Sequence, residues 1–546
     1  MKLQSSLTHW RALSVALMLA GSVVSASQAM AGGYAAPKTV VGPVPFLGVH
    51  GLGIDGQGRL MAGSVVGQSL SLVDRKTGKV SVFEGPGDGM ADDLAFGPDG
   101  EMAWTSYLVG TLRIRSADGQ VRDAALGLPG INSLAYNKEG RLFASRVFLG
   151  DALYEIDRTG ETPPRKIKEG MGGLNGFDFG PDGKLYGPLW FKGKVVRLDV
   201  DSGDMETVAK GFKTPAAVNF DGQGRLFVVD SETGELIRVN VDSGEKTVVA
   251  TLKPSLDNLA IDRQRNLIYV SNMADDSIQE IHPDTGKTRT LVSSKLAAPA
   301  GLAVVGDTVY IADIFAFRTY DTASGNVGEA ARMWASKLEY PMNAWADNDT
   351  VVLSSWATGT VQEFDRDTLT LKRSLHDFQA PHDVVRLGNG DLLVAELATG
   401  TLVRVSGEQG KKRNVVVKGL SAPAGMAISK DGAKVYLSTA AGKLWAITVE
   451  DWSKTLIRDD LSLPEGIDLT REGKLLVMET GKKQLLEVDP ENGDSRVLAS
   501  KLPLGLPALK GLPPTGVFND VVEAANGDLY FTADAKGGLY RMQRRP

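Results

Sequence analysis
Residues 174–183 read Leu174-Asn175-Gly176-Phe177-Asp178-Phe179-Gly180-Pro181-Asp182-Gly183. A short apolar strand runs into a tight turn, because Pro presets the backbone and Asp and Gly favour turn positions. A second strand, a loop of small residues, a third strand, an Asp/Gly turn and a Val-rich fourth strand follow. The same order recurs along the chain, with the same turn chemistry at Gly97-Pro98-Asp99-Gly100. The position held here by Asn175 is filled elsewhere by His50, Asp92, Asn132, Ala216, Asp257, Ala300, Met342, His382, Ala424, Glu465 and Asn519. The steps between these positions are 42, 40, 43, 41, 41, 43, 42, 40, 42, 41 and 54. A period of about 40–45 residues with four strands per repeat is the mark of a propeller blade. The alternation is β throughout, so the fold class expected is all-β.

Twelve repeats exceed the usual ring of about four to eight blades, and two six-bladed β-propellers are the natural division. The last repeat stops after its third strand, at Gly538-Leu539-Tyr540-Arg541-Met542. The string Lys38-Thr39-Val40-Val41 matches the fourth-strand string Lys246-Thr247-Val248-Val249. The N-terminal strand is therefore expected to complete the last blade and remove an open edge. The long step contains a Pro-, Leu- and Gly-rich insertion at 503–514. As a crossover, it puts the last blade with blades one to five; as a surface loop, it divides the rings simply into one to six and seven to twelve. The first division is preferred. It gives one propeller over 32–252 completed by 515–546, a second over 253–502, and 503–514 as linker or loop.

The 546 residues include 63 glycines, about one in nine, without a three-residue period, as many turns require. Hydrophobic residues are 42% and charged residues 23%, which excludes wholesale disorder. There is no cysteine, so disulfides, zinc–thiolate sites, iron–sulfur clusters and thiol nucleophiles are excluded. A net charge of -6 gives no reason to expect a nucleic-acid partner or an anionic membrane surface. Residues 1–31 read as a secretory signal: Lys2 and Arg11, an apolar stretch Ala12–Val24, and a small-x-small site at Ala29-Met30-Ala31. That stretch is short for a bilayer span, and no later segment is apolar enough to be one. The expectation is a soluble periplasmic or secreted protein without a membrane span.

The strings Leu174-Asn175-Gly176-Phe177, Leu256-Asp257-Asn258-Leu259 and Phe518-Asn519-Asp520-Val521-Val522, the last leading to Leu529-Tyr530-Phe531-Thr532, resemble a known superfamily. It is the six-bladed group of senescence-marker-type (SMP-30) proteins, gluconolactonases, paraoxonases and strictosidine-synthase-like proteins, with NHL-type repeats. WD-type signatures are missing. The resemblance implies a divalent cation, most often calcium, in a central tunnel, held by Glu, Asn and Asp at the starts of innermost strands. Carried onto this chain, the ligands are Asp92, Asn132, Asn175 and Asp257. Their order departs from the family's blade spacing.

Each innermost strand starts near the axis, so one residue per blade can face the tunnel. Carboxylate and amide oxygens suit a hard cation, and a tunnel lined by them can equally hold only water. His50 is a poor calcium ligand but titrates near neutral pH, which suits a general base; Asp92 is the other candidate catalytic residue. Of the four histidines after the leader, two, His50 and His382, lie in this column. The second half's column holds His382, Glu465 and Asn519 among small or apolar residues, read as a structural ring or a second site, with Asp383 able to orient His382. The loops after the second strands carry Tyr107, Phe148, Trp190 and Phe191, and these large residues read as a substrate wall or as packing against the other propeller. Arg146 stands beside them and could grip an oxyanion. Nucleophile-elbow, phosphate-loop, zincin and dinucleotide motifs are absent.

Two functions follow as expectations. One is an exported metal-dependent hydrolase of lactones or esters, acting on a small, partly apolar substrate. The other is a non-catalytic propeller that binds or assembles a protein partner in the periplasm.

Overall fold
The computed structural model describes residues 33–508 and 516–545. The expected leader, 1–31, lies outside the described residues, as does part of the 503–514 insertion. Every sheet among the described residues is four-stranded and antiparallel, and there are twelve. Successive side chains point to opposite faces, and both faces of this third strand are covered: in the Leu-Ile-Arg-Val run at 236–239 only Arg238 is partly exposed, with Leu236 and Ile237 in different clusters. Glycine at the turns is required by backbone sign: Gly100 and Gly183 close their Pro-Asp-Gly turns at φ 83° and 78°.

The sheets are numbered one to twelve by their innermost strands. These are Leu52–Ile54, Ala91–Phe96, Ile131–Tyr136, Asp178–Phe179, Pro215–Phe220, Leu256–Asp262, Leu302–Val305, Asn343–Ala346, Pro381–Arg386, Pro423–Ile428, Pro464–Leu469 and Val521–Glu523. Through sheets one to six each innermost strand packs on the next, and Leu256–Asp262 returns onto Leu52–Ile54. Through sheets seven to twelve the same holds, and Val521–Glu523 returns onto Leu302–Val305. The expected grouping of the last sheet with the first five is therefore corrected. The described part of the insertion explains why: Gly505 and Leu506 donate their N–H groups to Asp534 at 2.8 and 2.7 Å, so that segment folds back over sheet twelve.

Aspartates stitch neighbouring innermost strands. Asp178 accepts from Phe220 N at 3.0 Å, and Asp468 from Glu523 N at 3.0 Å. The seam between sheets twelve and seven is made the same way. Asp520 accepts from Leu302 N at 2.8 Å, and the Thr532 hydroxyl donates to Ala300 O at 2.7 Å.

The strand Lys38–Val41 pairs antiparallel with Leu539–Met542, with Thr39 opposite Tyr540 and Val41 opposite Leu539. Beyond it, Ala35 N donates to Gln543 O at 2.8 Å and Arg545 N to Gly33 O at 2.7 Å. The pairing read from the matching Lys-Thr-Val-Val strings is thus present. The chain starts in sheet twelve, crosses at 42–51 to sheet one, and crosses back at 293–301 to sheet seven.

Both crossings are gripped by buried carboxylates. Asp276 accepts from Phe46 N at 2.8 Å and Gly48 N at 2.9 Å. Asp313 accepts from Ala298 N at 2.7 Å and from the Arg318 guanidinium at 2.8 Å. Burial pushes Asp276 up to about 7 and Asp313 up to about 6, although the backbone donors oppose it. Arg332 completes the junction, donating to Pro254 O at 2.9 Å and Asp275 at 2.8 Å. One hydrophobic cluster runs across it, from Val44 and Leu47 through Met273 to Phe315 and Phe364.

Candidate functional site
Three of the expected column residues meet at the start of the innermost strands in the first half. His50 is 9% exposed. Its Nδ1 lies 3.1 Å from Asp257 Oδ2 and 3.6 Å from Asp92 Oδ1. Sheets one and six are brought together by the return of the sixth innermost strand onto the first, which places His50 beside Asp257. The other ring nitrogen, Nε2, is buried without a partner. Burial alone would lower the imidazole pKa, but the hydrogen bond to Asp257, with the charges of Asp257, Asp92 and Asp276, raises it above its ordinary value. Burial likewise raises Asp92, against the pull of His50.

Asn132 and Asn175 form a second group. The Ser133 hydroxyl lies 2.7 Å from Asn132 Oδ1 and 3.1 Å from Asn175 Oδ1. Asn258 donates to Asp93 at 3.0 Å, and burial holds Asp93 well above the carboxylate range. Past these groups the tunnel opens into a cavity of about 380 Å³ at the far ends of the same strands, lined by Leu52, Leu94, Leu134, Phe177 and Leu259 with Asp93 and Asn258.

The oxygens expected to hold a cation are thus committed. Asp92 and Asp257 converge on an imidazole nitrogen, and the two asparagine oxygens share a hydroxyl. Among the described residues no group of three or more His, Asp or Glu is placed to hold a metal ion. The donor set does not suit calcium as it stands, because the imidazole, when protonated, already supplies the positive charge between the acids. Millimolar calcium, magnesium or manganese will leave the melting temperature within about one degree of the metal-free value, since an ion that does not bind the native state cannot stabilise it. A rise of several degrees that a chelator reverses would show that the four side chains regroup around an ion.

The aromatic wall is present, but it is shared between the halves. Phe148 packs on Trp190 and Phe191, with ring centroids 5.4 and 5.6 Å apart. Trp190, only 5% exposed, stacks edge-on against Trp334 at 4.9 Å. Trp334 meets Tyr340 at 6.4 Å, Tyr340 meets Phe315 at 6.0 Å, and Phe315 meets the His50 ring at 5.7 Å. Phe315, Trp334 and Tyr340 belong to sheet seven and the connector after it, so the second half roofs the column of the first. Sequence reasoning missed these three; the only signal was two aromatics, Trp334 and Tyr340, in one connector. Tyr107 donates to Val147 O at 3.4 Å, and its burial, with the charge of Asp92, raises its phenol. Arg146 does not face the column. Its guanidinium donates to Pro129 O at 2.9 Å and Leu149 O at 2.8 Å, holding the loop that carries Phe148.

In the second half, Glu465 accepts from Asn519 N and Nδ2, both at 2.7 Å. Asn519 Oδ1 accepts in turn from Asp534 N at 2.8 Å. His382 places Nδ1 3.3 Å from Ala424 O and packs on Phe518, and burial lowers it to about 4. Asp383 accepts from Val384 N and Met426 N at 2.6 and 2.5 Å. Glu465 and Asn519 thus bond each other and neighbouring backbone.

No known family profile matches the sequence. No curated protein matches it either. Among solved structures it is similar to the extracellular domain of the one-component system BT4673 from B. thetaiotaomicron, at 10% identity and TM-score 0.33, over 91% of this chain and 75% of that one. It is also similar to the tricorn protease, at 13% identity and TM-score 0.37, over 83% of this chain and 48% of that one. No helix among the described residues is long and apolar enough to cross a membrane.

Proposed function
We propose that the chain forms two six-bladed β-propellers, sheets one to six and seven to twelve, the second closed by the N-terminal strand. We further propose that the first carries the active site of an exported hydrolase of small lactones or esters. One observation carries this reading: His50 is bonded through Nδ1 to Asp257 while Nε2 is buried and free. A carboxylate on Nδ1–H fixes the tautomer whose lone pair is on Nε2, which is the arrangement of a general base.

In this reading Nε2 takes a proton from water as the water oxygen bonds to the substrate carbonyl carbon. Asp257 and Asp92 stabilise the imidazolium that forms. When the carbon–oxygen bond to the leaving group breaks, the imidazolium returns its proton to the departing alkoxide, leaving the acid product and neutral His50. Phe315, Tyr340 and Tyr107 exclude bulk water and favour a partly apolar substrate. Trp334 Nε1, also buried without a partner, is a donor on the same aromatic surface.

The test is a panel of simple lactones and aryl esters across pH. Hydrolysis will rise with pH about a midpoint above the ordinary 6.5 of histidine, because the raised pKa keeps His50 protonated and inactive below it. No turnover across the panel, or a profile without that limb, contradicts the reading. A partner-binding reading has its own support: Phe148, Leu149 and Phe191 are 43, 53 and 57% exposed on adjacent loops. Co-purification that is lost on Phe191→Ser, without hydrolysis, would favour it.

A further inference from the structure
We propose that the far end of the tunnel through sheets one to six binds a small monocarboxylate with an apolar body. The site is the cavity of about 380 Å³ at the ends of the innermost strands opposite His50. It stands whether or not His50 is catalytic.

Size and wall are the first argument. An apolar cavity of about 150 Å³ encloses benzene, so this one admits a ring with a short side chain. Ile54, Phe96 and Ile261 line it and are each partly exposed, which gives such a ring an apolar surface to cover.

The second argument is which lining groups have bonding capacity left. The carboxylates are committed. Asp178 accepts from Phe179 N at 2.8 Å and Phe220 N at 3.0 Å. Asp93 accepts from Leu94 N at 2.9 Å and Asn258 Nδ2 at 3.0 Å. Asp55 accepts from Gln57 N at 3.0 Å and Arg59 N at 2.7 Å. Donors are what remain. Among the described residues nothing bonds the Asn219 side chain, which lines the cavity and is partly exposed. Asn258, nearer the His50 end, gives one amide hydrogen to Asp93 and keeps the other. Arg263 stands exposed at the rim. Its Nε and Nη2 donate to Phe220 O at 3.3 and 3.2 Å, and Nη1 is left over. A lining with spare donors calls for a ligand that brings acceptor oxygens.

The charge at the rim is a third, independent argument. Arg75 and Arg265 both bond Asp262 Oδ2, Arg265 at 3.0 Å. A Cβ on Gly58, also in the lining, would stand 3.3 Å from Arg265 Nη1 and 3.6 Å from Arg75 Nη2. Arg59 pairs with Asp55, and Arg263 lies 3.6 Å from Asp178. The three lining acids with cationic partners, Asp55, Asp178 and Asp262, thus face four guanidiniums. Asp93 lies deeper, and burial holds it well above the carboxylate range. Burial raises Asp178 as well, which widens the excess of positive charge. Such a rim selects an anion, and a carboxylate matches the guanidinium fork.

The full chain is titrated by calorimetry with phenylacetate, its neutral isostere phenylacetamide and 2-phenylethylammonium. Phenylacetate is expected to saturate, the amide to bind about threefold to tenfold more weakly, and the ammonium not to saturate at the same concentrations. Asn219→Leu and Arg263→Gln, each melting like the parent, are expected to weaken phenylacetate about threefold or more, and His50→Gln to leave it unchanged. Methyl NMR of the isoleucine-labelled chain locates the ligand, with the Ile54 and Ile261 resonances expected to shift. Failure of phenylacetate to saturate overturns the proposal and leaves the cavity to water. Equal binding of acid and amide, undiminished binding in both Asn219→Leu and Arg263→Gln, or a titration that leaves Ile54 and Ile261 unmoved overturns it too. Phenylacetate binding that His50→Gln removes and Asn219→Leu does not would put the ligand at the other mouth, against the proposal.

Discussion

Deleting residues 33–41 will lower stability by about 5 kcal/mol and make the protein associate more than the parent does. The loss has two sources. Tyr34 and Val41 are each 6% exposed, and a buried apolar side chain of this size contributes about 1.5–3 kcal/mol. The ladder between Lys38–Val41 and Leu539–Met542 disappears, with its extension at Ala35 and Arg545, at about 1 kcal/mol per hydrogen bond. Sheet twelve would then hold three strands, and Leu539–Met542 would offer a row of unpaired backbone groups at its edge. The chain would still meet itself through Asp520 and Leu302, so the variant is expected to fold and to melt early. Thermal melting with size-exclusion chromatography tests this. A variant that melts with the parent and associates no more than it does would show that sheet twelve does not need its N-terminal strand.

The repeat phase was legible because each blade spells it in turn chemistry, as at Gly180-Pro181-Asp182-Gly183, and alternation then fixes which strand is which. The pairing of Lys38–Val41 with the last repeat was legible for a similar reason, since the partner strand is visibly missing. The division of the blades was not. The insertion at 503–514 is conspicuous in length and composition, yet it only joins sheets eleven and twelve. The true crossings, at 42–51 and 293–301, are of ordinary length, and what marks them is carboxylates far away in sequence, Asp276 and Asp313.

The site was legible to the same depth. Column arithmetic singled out His50, Asp92 and Asp257, but their meeting depends on sheet six packing on sheet one, which is a property of ring size. The aromatic wall was visible in Trp190 and Phe148, whereas its roof was not. Phe315, Trp334 and Tyr340 come from the other half, and no periodicity reports how two halves face each other. The imidazole between the two acids was not legible, because a spacing of about 40 residues says which blade a residue is on and not where its side chain points.

His50→Gln will cut the turnover number for the best lactone or ester by about 10²-fold or more and leave KM nearly unchanged. Glutamine keeps a polar group of similar reach toward Asp257 but cannot take a proton from water near neutral pH. The packing of Phe315 on the ring, 5.7 Å between centroids, carries a structural share, so the variant's melting curve is recorded alongside. Asp257→Asn will give a smaller loss and move the rising limb of the pH profile down, since the partner that raises the imidazole pKa is gone. The measurement that bears most directly on the account is the side-by-side turnover number of parent and His50→Gln on that substrate, across pH and at matched folded fraction. The account predicts that the parent's limb above 6.5 vanishes together with about 10²-fold of rate. A His50→Gln enzyme with the parental rate and the parental pH profile would contradict it.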